Sequence, residues 1–207
     1  MSDNETSPES SSFMNADSQP AISSGAVGTH LYFYSDVTEA TILSLIKDLR
    51  TMSKKIHSSV LQMDMPLDAA QIPIWLHIHS YGGLNRPAFA AADIIGSLRS
   101  PVYSVVEGLA ASAATILSRS CPKSFITAHS FMLIHQLEVT ISGKYAELCD
   151  SKHFMDRVAQ QNEDFYSART KMSPEEVHEL LGRDIFLNAS ECIKLGLVDY
   201  PAEGNVP

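Results

Sequence analysis

Ser112 lies in a stretch whose composition suits a nucleophile. Residues 108–117 are Gly-Leu-Ala-Ala-Ser-Ala-Ala-Thr-Ile-Leu, and they follow the β-branched run 102–106. This order predicts that Ser112 lies where a buried strand turns into a helix. The first N–H groups of a helix are unpaired and carry the positive end of its dipole, so an oxyanion formed beside Ser112 would meet donors already in place. On this stretch alone an N-cap role for Ser112 is equally open.

Two other side chains have the chemistry of acid-base catalysis. The apolar strand predicted over 131–134 ends at His135, and an imidazole in a cleft suits a general base because its pKa lies near neutrality. Asp184 precedes an apolar segment, where a buried carboxylate can orient a histidine. A structural histidine and a surface ion pair with Arg183 are the alternatives for these two residues.

The strand predicted over 74–78 is followed by a pair of glycines, Gly82 and Gly83. Paired glycines permit positive φ and a close backbone approach, so their N–H groups can face a ligand or an oxyanion. An ordinary turn between a strand and a helix is the alternative. His77 and His79 share one face of this strand, but the sequence nearby offers no carboxylate or cysteine to complete a metal site, and none is predicted.

Strands and helices alternate along the chain, which predicts right-handed crossovers and a largely parallel sheet. The fold class is therefore α/β. Residues 51–72 have no clear period and are predicted to cross the surface as a loop. The predicted strands cover 31–34, 74–78, 102–106, 131–134 and 197–198, and the predicted helices include 42–49, 89–98, 144–170, 174–181 and 188–196.

The helix predicted over 144–170 is long for a chain of this size. Its apolar residues follow one face, and most of its other residues are polar. Such a helix needs a surface to pack against, so we expect it to project and to contact either the core or a neighbouring subunit. The next helix begins at a capping box, Ser173 to Glu176, with Pro174 at its first position.

The composition predicts one globular domain that does not bind nucleic acid. The chain has 207 residues, 44% of them hydrophobic, and a formal net charge of -9. That length supports one core, and an acidic chain without basic runs lacks the electrostatic footprint of nucleic-acid binding. Residues 1–28 are predicted to form a flexible Ser-rich tail, 29–200 the domain, and 201–207 a polar C-terminal tail.

The three cysteines are Cys121, Cys149 and Cys192. They are odd in number and lack metal-binding spacing, so we interpret them as buried apolar residues in a protein of a reducing compartment. The sequence also has no run of about 18 apolar residues and no signal peptide, so neither a membrane span nor secretion is predicted.

Five motifs in the same order as in a known family give the sequence a resemblance to the proteolytic subunit of Clp protease. The resemblance extends from about Leu31 to Asp199. The motifs are Ser-Tyr-Gly-Gly from residue 80, Gly-Leu-Ala-Ala-Ser-Ala-Ala from residue 108, Met-Leu-Ile-His-Gln from residue 132, Arg-Asp-Ile-Phe-Leu-Asn-Ala-Ser-Glu-Cys from residue 183 and Lys-Leu-Gly-Leu-Val-Asp from residue 194.

The resemblance implies a serine endopeptidase with Ser112 as nucleophile, His135 as general base and Asp184 as the orienting acid. It also implies an oxyanion hole made by the N–H groups of Gly83 and Ala113. The expected fold is the ClpP/crotonase-like spiral of β-β-α units with a projecting handle helix. The expected assembly is a cytoplasmic homo-oligomer of two stacked heptameric rings that encloses a chamber for polypeptide substrates. No cofactor or metal is expected, and ATP would act only through a partner Clp-type ATPase.

The sequence departs from the family pattern at several points. Tyr81 replaces the usual proline before Gly-Gly, and Ala113 replaces the usual methionine after the nucleophile. The segment before Leu31 lacks the family's axial loop and first helix, and 137–143 lacks its Pro and Gly-rich pattern. The docking of a Clp ATPase therefore stays open. The alternative hypotheses are a non-catalytic scaffold subunit, a viral particle maturation protease of this fold, and an acyl-CoA hydratase or isomerase of the same superfamily.

Overall fold

A computed structural model describes residues 26–62, 68–204 and 206. Most of the predicted N-terminal tail, residues 1–25, therefore lies outside the described residues. The last part of that tail differs from the prediction, because Ala26–Val27 form a short strand, β1, that pairs with the next strand.

The described part of the chain alternates strands and helices, with eight strands and six α-helices. The remaining strands are β2 (His30–Phe33), β3 (Ile74–Ser80), β4 (Val102–Ala111), β5 (Lys123–Ile126), β6 (Phe131–Leu133), β7 (Leu187–Asn188) and β8 (Tyr200–Pro201). The helices are α1 (Glu39–Gln62), α2 (Asn85–Ser97), α3 (Ala113–Arg119), α4 (Tyr145–Arg169), α5 (Pro174–Leu181) and α6 (Ala189–Leu195), and Ala69–Gln71 form a 3-10 helix.

The strands form one mostly parallel sheet in the order β1-β2-β3-β4-β5-β8. The strand pairs from β2 through β5 to β8 are parallel, and so is the pair of β4 and β6. Only β1 with β2 and β6 with β7 run antiparallel in the described residues. The predicted α/β class with a largely parallel sheet is confirmed.

The main core lies between the sheet and the helices that follow its strands. It includes fully buried side chains of β3, such as Leu76 and Ile78, and of α3, such as Ile116 and Leu117. The helices cover this face because their apolar side chains recur on one side of each helix. In α1 that stripe is Ile42, Leu45, Leu49, Met52 and Ile56.

The prediction of a loop over 51–72 is wrong for the first half of that segment, because α1 continues to Gln62. The buried residues Met52 and Ile56 extend the spacing of the preceding stripe by three and four residues, which keeps them on the same face of the helix. Lys54 and Lys55 lie between them and are exposed. The charged residues that suggested a loop therefore form the solvent side of the helix.

Two other expectations about local structure are also corrected. Leu197 and Val198 are buried but belong to a bend, and the final strand is β8. Cys121 and Cys192 are buried as predicted, whereas Cys149 is exposed on α4.

Within the described ranges, no helix combines the length and the apolar character that crossing a membrane requires.

The opposite face of the sheet carries a hydrogen-bonded chain of polar side chains from three strands. His30 Nδ1 lies 2.8 Å from His77 Nε2, and His77 Nδ1 lies 2.8 Å from Glu107 Oε1. The Tyr34 hydroxyl donates to the same carboxylate. Burial and the neighbouring His77 lower the pKa of His30. A carboxylate does lie beside His77, but no group of side chains in the described part of the chain could hold a metal ion.

Candidate active site

Ser112 occupies the junction between β4, which ends at Ala111, and α3, which begins at Ala113. Its backbone has φ 53 and ψ -126, and no other non-glycine residue of the described chain has positive φ. A side chain at such a φ is strained, and the surrounding structure must hold it there. The Ser112 N–H donates to the Leu133 carbonyl oxygen at 2.7 Å, which fixes the turn against β6.

The Ser112 hydroxyl does not cap the helix. Ser112 stands at the N-cap position of α3, but its side chain makes no capping hydrogen bond. A serine retained only as a cap would accept a hydrogen bond from an amide of the first turn. The geometry therefore does not support the alternative role as an N-cap. The Ser112 hydroxyl is not used to cap α3 and can act as a nucleophile.

Ser112 and His135 line the same cleft, which has a volume of about 730 Å³. His135 follows β6, the strand that pairs with the end of β4, so the sheet register places His135 and Ser112 at the same end of two neighbouring strands. Ser112 Oγ and His135 share no hydrogen bond in the described residues, and a catalytic hydrogen bond of this kind can form only when substrate binds.

Asp184 lies beside His135, at 3.4 Å between Asp184 Oδ1 and His135 Nδ1. The expectation of a buried carboxylate is wrong, because the Asp184 side chain is 80% exposed while that of His135 is 16% exposed. Solvent weakens the attraction between such a carboxylate and an imidazole. Asp184 lies in the irregular segment between α5 and β7, and within the described ranges it forms no ion pair with Arg183.

Of the two amides expected to bind an oxyanion, that of Ala113 directly follows Ser112, and that of Gly83 follows Gly82, which lies against the Ser112 turn. Ala113 is the first residue of α3, so its N–H has no acceptor within the helix. Gly83 forms a parallel bridge with Val37. The hydrogen bonds of that bridge use the Val37 and Leu84 amides, at 2.7 and 2.8 Å. In a parallel bridge the N–H of the central residue points to the other side, so the Gly83 N–H is directed away from Val37.

Gly82 lies where the turn that contains Gly82 and Gly83 packs against the Ser112 turn. We expect the replacement of Gly82 by alanine to disrupt both turns. A Cβ at Gly82 would lie 2.5 Å from the Ala111 carbonyl oxygen and 2.7 Å from Ser112 Cβ, at a φ of +97. Neither neighbour is the end of a flexible side chain. Gly82→Ala is therefore expected to lower the rate of Ser112 modification by a fluorophosphonate by about tenfold or more and to lower the melting temperature.

Gly96→Ala is the matched control for this prediction. Gly96 lies in α2 with ordinary φ, and a Cβ there would meet no atom within 4 Å. The control should keep the modification rate and be equally or more stable, because alanine is a better helix former. Equal modification rates for the two variants would contradict the prediction.

Cysteine chemistry does not compete with Ser112 in this region. Burial raises the pKa of Cys121 to about 12 and that of Cys192 to about 12, and a protonated thiol is a poor nucleophile. Cys149 is exposed and does not line the cleft.

Two contacts on the α4 side of the cleft were not predicted from the sequence. The Tyr166 and Thr115 hydroxyl oxygens lie 2.6 Å apart, and Thr115 Oγ1 donates to the Ser112 carbonyl oxygen at 2.6 Å. Asn85 Nδ2 donates to Asn162 Oδ1 at 3.3 Å. The available signal was the four-residue spacing of Val158, Asn162 and Tyr166, the three buried residues of α4. The sequence pattern predicted an apolar face on this helix, but it did not point to Asn162 or Tyr166.

Comparison with known proteins identifies the family. The model of the Clp protease family matches residues 27–203, which is most of the chain. The chain belongs to the Clp protease family. The family match favours the peptidase hypothesis over the acyl-CoA hydratase or isomerase, and the resemblance inferred from the five motifs is confirmed.

Individual members of the Clp protease family are related at modest identity. ATP-dependent Clp protease proteolytic subunit 1 of Chlamydia muridarum is 30% identical over 173 residues, which cover 82% of this chain and 83% of the relative. Proteolytic subunit 2 of Treponema denticola is 32% identical over 156 residues, which cover 74% and 77%. Proteolytic subunit 1 of Protochlamydia amoebophila is 34% identical over 131 residues, which cover 61% and 64%.

Proposed function

We propose that this chain is a serine endopeptidase that hydrolyses peptide bonds of unfolded or small polypeptides. Ser112 is the nucleophile, His135 the general base and Asp184 the orienting carboxylate. The observation that carries the proposal is the strained, uncapped Ser112 between β4 and α3, in the cleft that His135 also lines. Membership of the Clp protease family supports the same chemistry.

The mechanism begins with a substrate carbonyl placed between Ser112 and the two amides. His135 Nε2 takes the hydroxyl proton as Ser112 Oγ attacks the carbonyl carbon, and the N–H groups of Gly83 and Ala113 donate to the oxyanion. The intermediate collapses when the imidazolium protonates the leaving amine, which leaves an acyl group on Ser112 Oγ. Water, deprotonated by the same imidazole, then releases the acid product. Asp184 accepts from His135 Nδ1–H and stabilises the imidazolium.

The proposal extends to assembly and partners through the family. The relatives are named as proteolytic subunits of an ATP-dependent protease. By analogy, this chain is proposed to form a cytoplasmic homo-oligomer of stacked heptameric rings that encloses the cleft in a chamber. It needs no cofactor of its own, and any use of ATP would belong to a partner Clp-type ATPase.

A second candidate function is a non-catalytic scaffold subunit of such an assembly. The observation that favours it is the solvent exposure of Asp184, which is 80% at a distance of 3.4 Å from His135. A carboxylate so exposed holds an imidazole less firmly than a buried one does.

Modification by a fluorophosphonate distinguishes the two candidates. The wild-type chain is expected to become covalently modified at Ser112, as located by peptide mass spectrometry, because only an activated serine reacts with this probe. Ser112→Ala should not react. Ser120→Ala is the matched control, since Ser120 caps the other end of α3 and donates to the Ile116 carbonyl oxygen at 2.6 Å. A folded wild-type protein that stays unmodified would support the scaffold function instead.

A further inference from the structure

The cleft wall formed by α4 contains one amide in an otherwise apolar stripe. Met155, Val158, Asn162 and Tyr166 all line the cleft, and their spacing of three and four residues places them on one face of the helix. Val158 and Tyr166 are buried, and so is Asn162, which is 6% exposed. The Tyr166 hydroxyl is already engaged with Thr115. Asn162 is therefore the polar group that this wall offers to a substrate.

The position of Asn162 along α4 places it near the reacting bond. Tyr166 is tied through Thr115 to the Ser112 carbonyl oxygen, so this part of α4 lies beside the nucleophile's turn. Asn162 is one helical turn before Tyr166, which is about 6 Å along the helix axis. A side chain next to the bond being cut can span this distance.

The Asn162 amide has unused hydrogen-bonding capacity that faces the cleft. Its oxygen accepts from Asn85 Nδ2 at 3.3 Å, whereas its NH₂ group, with two donors, makes no hydrogen bond in the part of the chain described. Among those residues, Arg119 Nε is the only fully buried side-chain nitrogen or oxygen without a partner. Asn162 Nδ2 is therefore open to the cleft that the residue lines. A mostly buried amide with free donors favours a ligand that supplies an acceptor.

Asn85 adds a hydrogen-bond acceptor beside the Asn162 donors. It is the first residue of α2 and also lines the cleft. Its NH₂ group is directed to Asn162, which leaves its carbonyl oxygen as an acceptor. The pair thus offers one donor group and one acceptor side by side, and a carboxamide side chain carries the matching acceptor and donor.

The charges of the cleft disfavour an acidic side chain of the same shape. Asp36, Glu39 and Glu138 line the cleft together with the guanidinium of Arg86, so its carboxylates outnumber its fixed cations. The carboxylate of a substrate glutamate would be repelled by these negative side chains and by the carbonyl oxygen of Asn85. It would also lose hydration that the two amides only partly replace.

We propose that Asn162 and Asn85 make the pocket beside Ser112 selective for a carboxamide side chain, glutamine or asparagine, on the residue whose carbonyl is attacked. The inference rests on the proposed serine endopeptidase function. An aliphatic side chain of similar size would leave the Asn162 NH₂ group and the Asn85 carbonyl oxygen without partners, and such a mismatch lowers kcat/KM by about 10- to 100-fold.

Fluorogenic peptides that differ only at this residue test the inference. The wild-type chain should cleave the glutamine peptide with a kcat/KM about 10- to 100-fold above that of the leucine or glutamate peptide. Asn162→Leu, which continues the apolar stripe, should lower this glutamine-to-leucine ratio to about one or below. Asn85→Ala should lower it as well, and it provides a second test if Asn162→Leu does not fold. Gln161→Leu, on an exposed position of α4, should keep the wild-type ratio.

The outcomes separate this inference from the function on which it rests. If the fluorophosphonate modifies wild-type Ser112 but leucine is cleaved as well as glutamine, the carboxamide pocket is wrong and the peptidase stands. The same holds if both Asn162→Leu and Asn85→Ala keep the wild-type ratio. If wild-type Ser112 is not modified and no peptide is cleaved, the endopeptidase proposal fails and the inference fails with it.

Discussion

Ser112→Ala and His135→Ala are each expected to lower kcat/KM for a short peptide by about 10,000-fold or more, and the double variant should be no slower than either single one. The reason is that a hydroxyl and the imidazole that deprotonates it act as a unit, so the second loss removes nothing further. Both residues line one cleft, and His135 follows β6, which pairs with β4, the strand that leads into Ser112. Steady-state hydrolysis of a fluorogenic peptide by the wild type, the two single variants and the double variant measures the coupling free energy between the two substitutions.

His129→Ala is the control for the histidine change. His129 is exposed in the segment between β5 and β6 and does not line the cleft, so its loss should leave kcat/KM within about twofold of the wild-type value. Losses from Ser112→Ala and His135→Ala that multiply in the double variant would mean that the two side chains act independently. A general-base role for His135 would then be wrong.

Elements bounded by strong local signals could be predicted from the sequence. The capping boxes at Ser173 and Asn188 mark the starts of α5 and α6, and both boxes are formed in the structure. The β-branched run before the small residues predicted the strand and helix on either side of Ser112. These signals depend on neighbouring residues, whose chemistry is visible in the sequence.

Features that depend on distant residues could not be predicted. The contact of His77 with His30 and Glu107 requires the register of three strands, which pairs His30 with Trp75 and His77 with Val105. The exposure of Asp184 depends on how the segment between α5 and β7 packs, and an apolar segment after a carboxylate does not determine that. Asn162 was missed because a helical stripe is recognised from its apolar members, and a polar residue on the same face gives no signal of its own.

The same limit applies to the ion pair that attaches the end of the chain to the sheet. Arg119, at the end of α3, lies 2.9 Å from Asp199 Oδ1, and the two side chains are 11% and 29% exposed. The backbone amide and the hydroxyl of Ser124 both donate to Asp199 Oδ2 at 2.8 Å. One carboxylate therefore joins α3, β5 and the segment that leads into β8, although Arg119, Ser124 and Asp199 lie in three separate segments of the chain.

Asp199→Ala is expected to destabilise the fold by about 3–5 kcal/mol, because it leaves the mostly buried Arg119 without its counter-charge. In a chain of this size that corresponds to a fall in melting temperature of about 6–20 °C. Thermal unfolding followed by circular dichroism or scanning calorimetry measures it. Arg119→Met combined with Asp199→Ala should recover part of the loss, since the cost of a stranded charge disappears when both charges are removed.

Asp156→Ala is the matched control for this effect. Asp156 Oδ2 lies 2.7 Å from Lys152 Nζ on α4, but the side chains are 57% and 75% exposed. An exposed pair contributes little, so this variant should stay within about 0.5 kcal/mol of the wild-type stability. The two aspartates thus form ion pairs of similar length in different surroundings. If Asp199→Ala were as stable as Asp156→Ala, the prediction would be wrong, because the buried Arg119 would then not need its carboxylate partner.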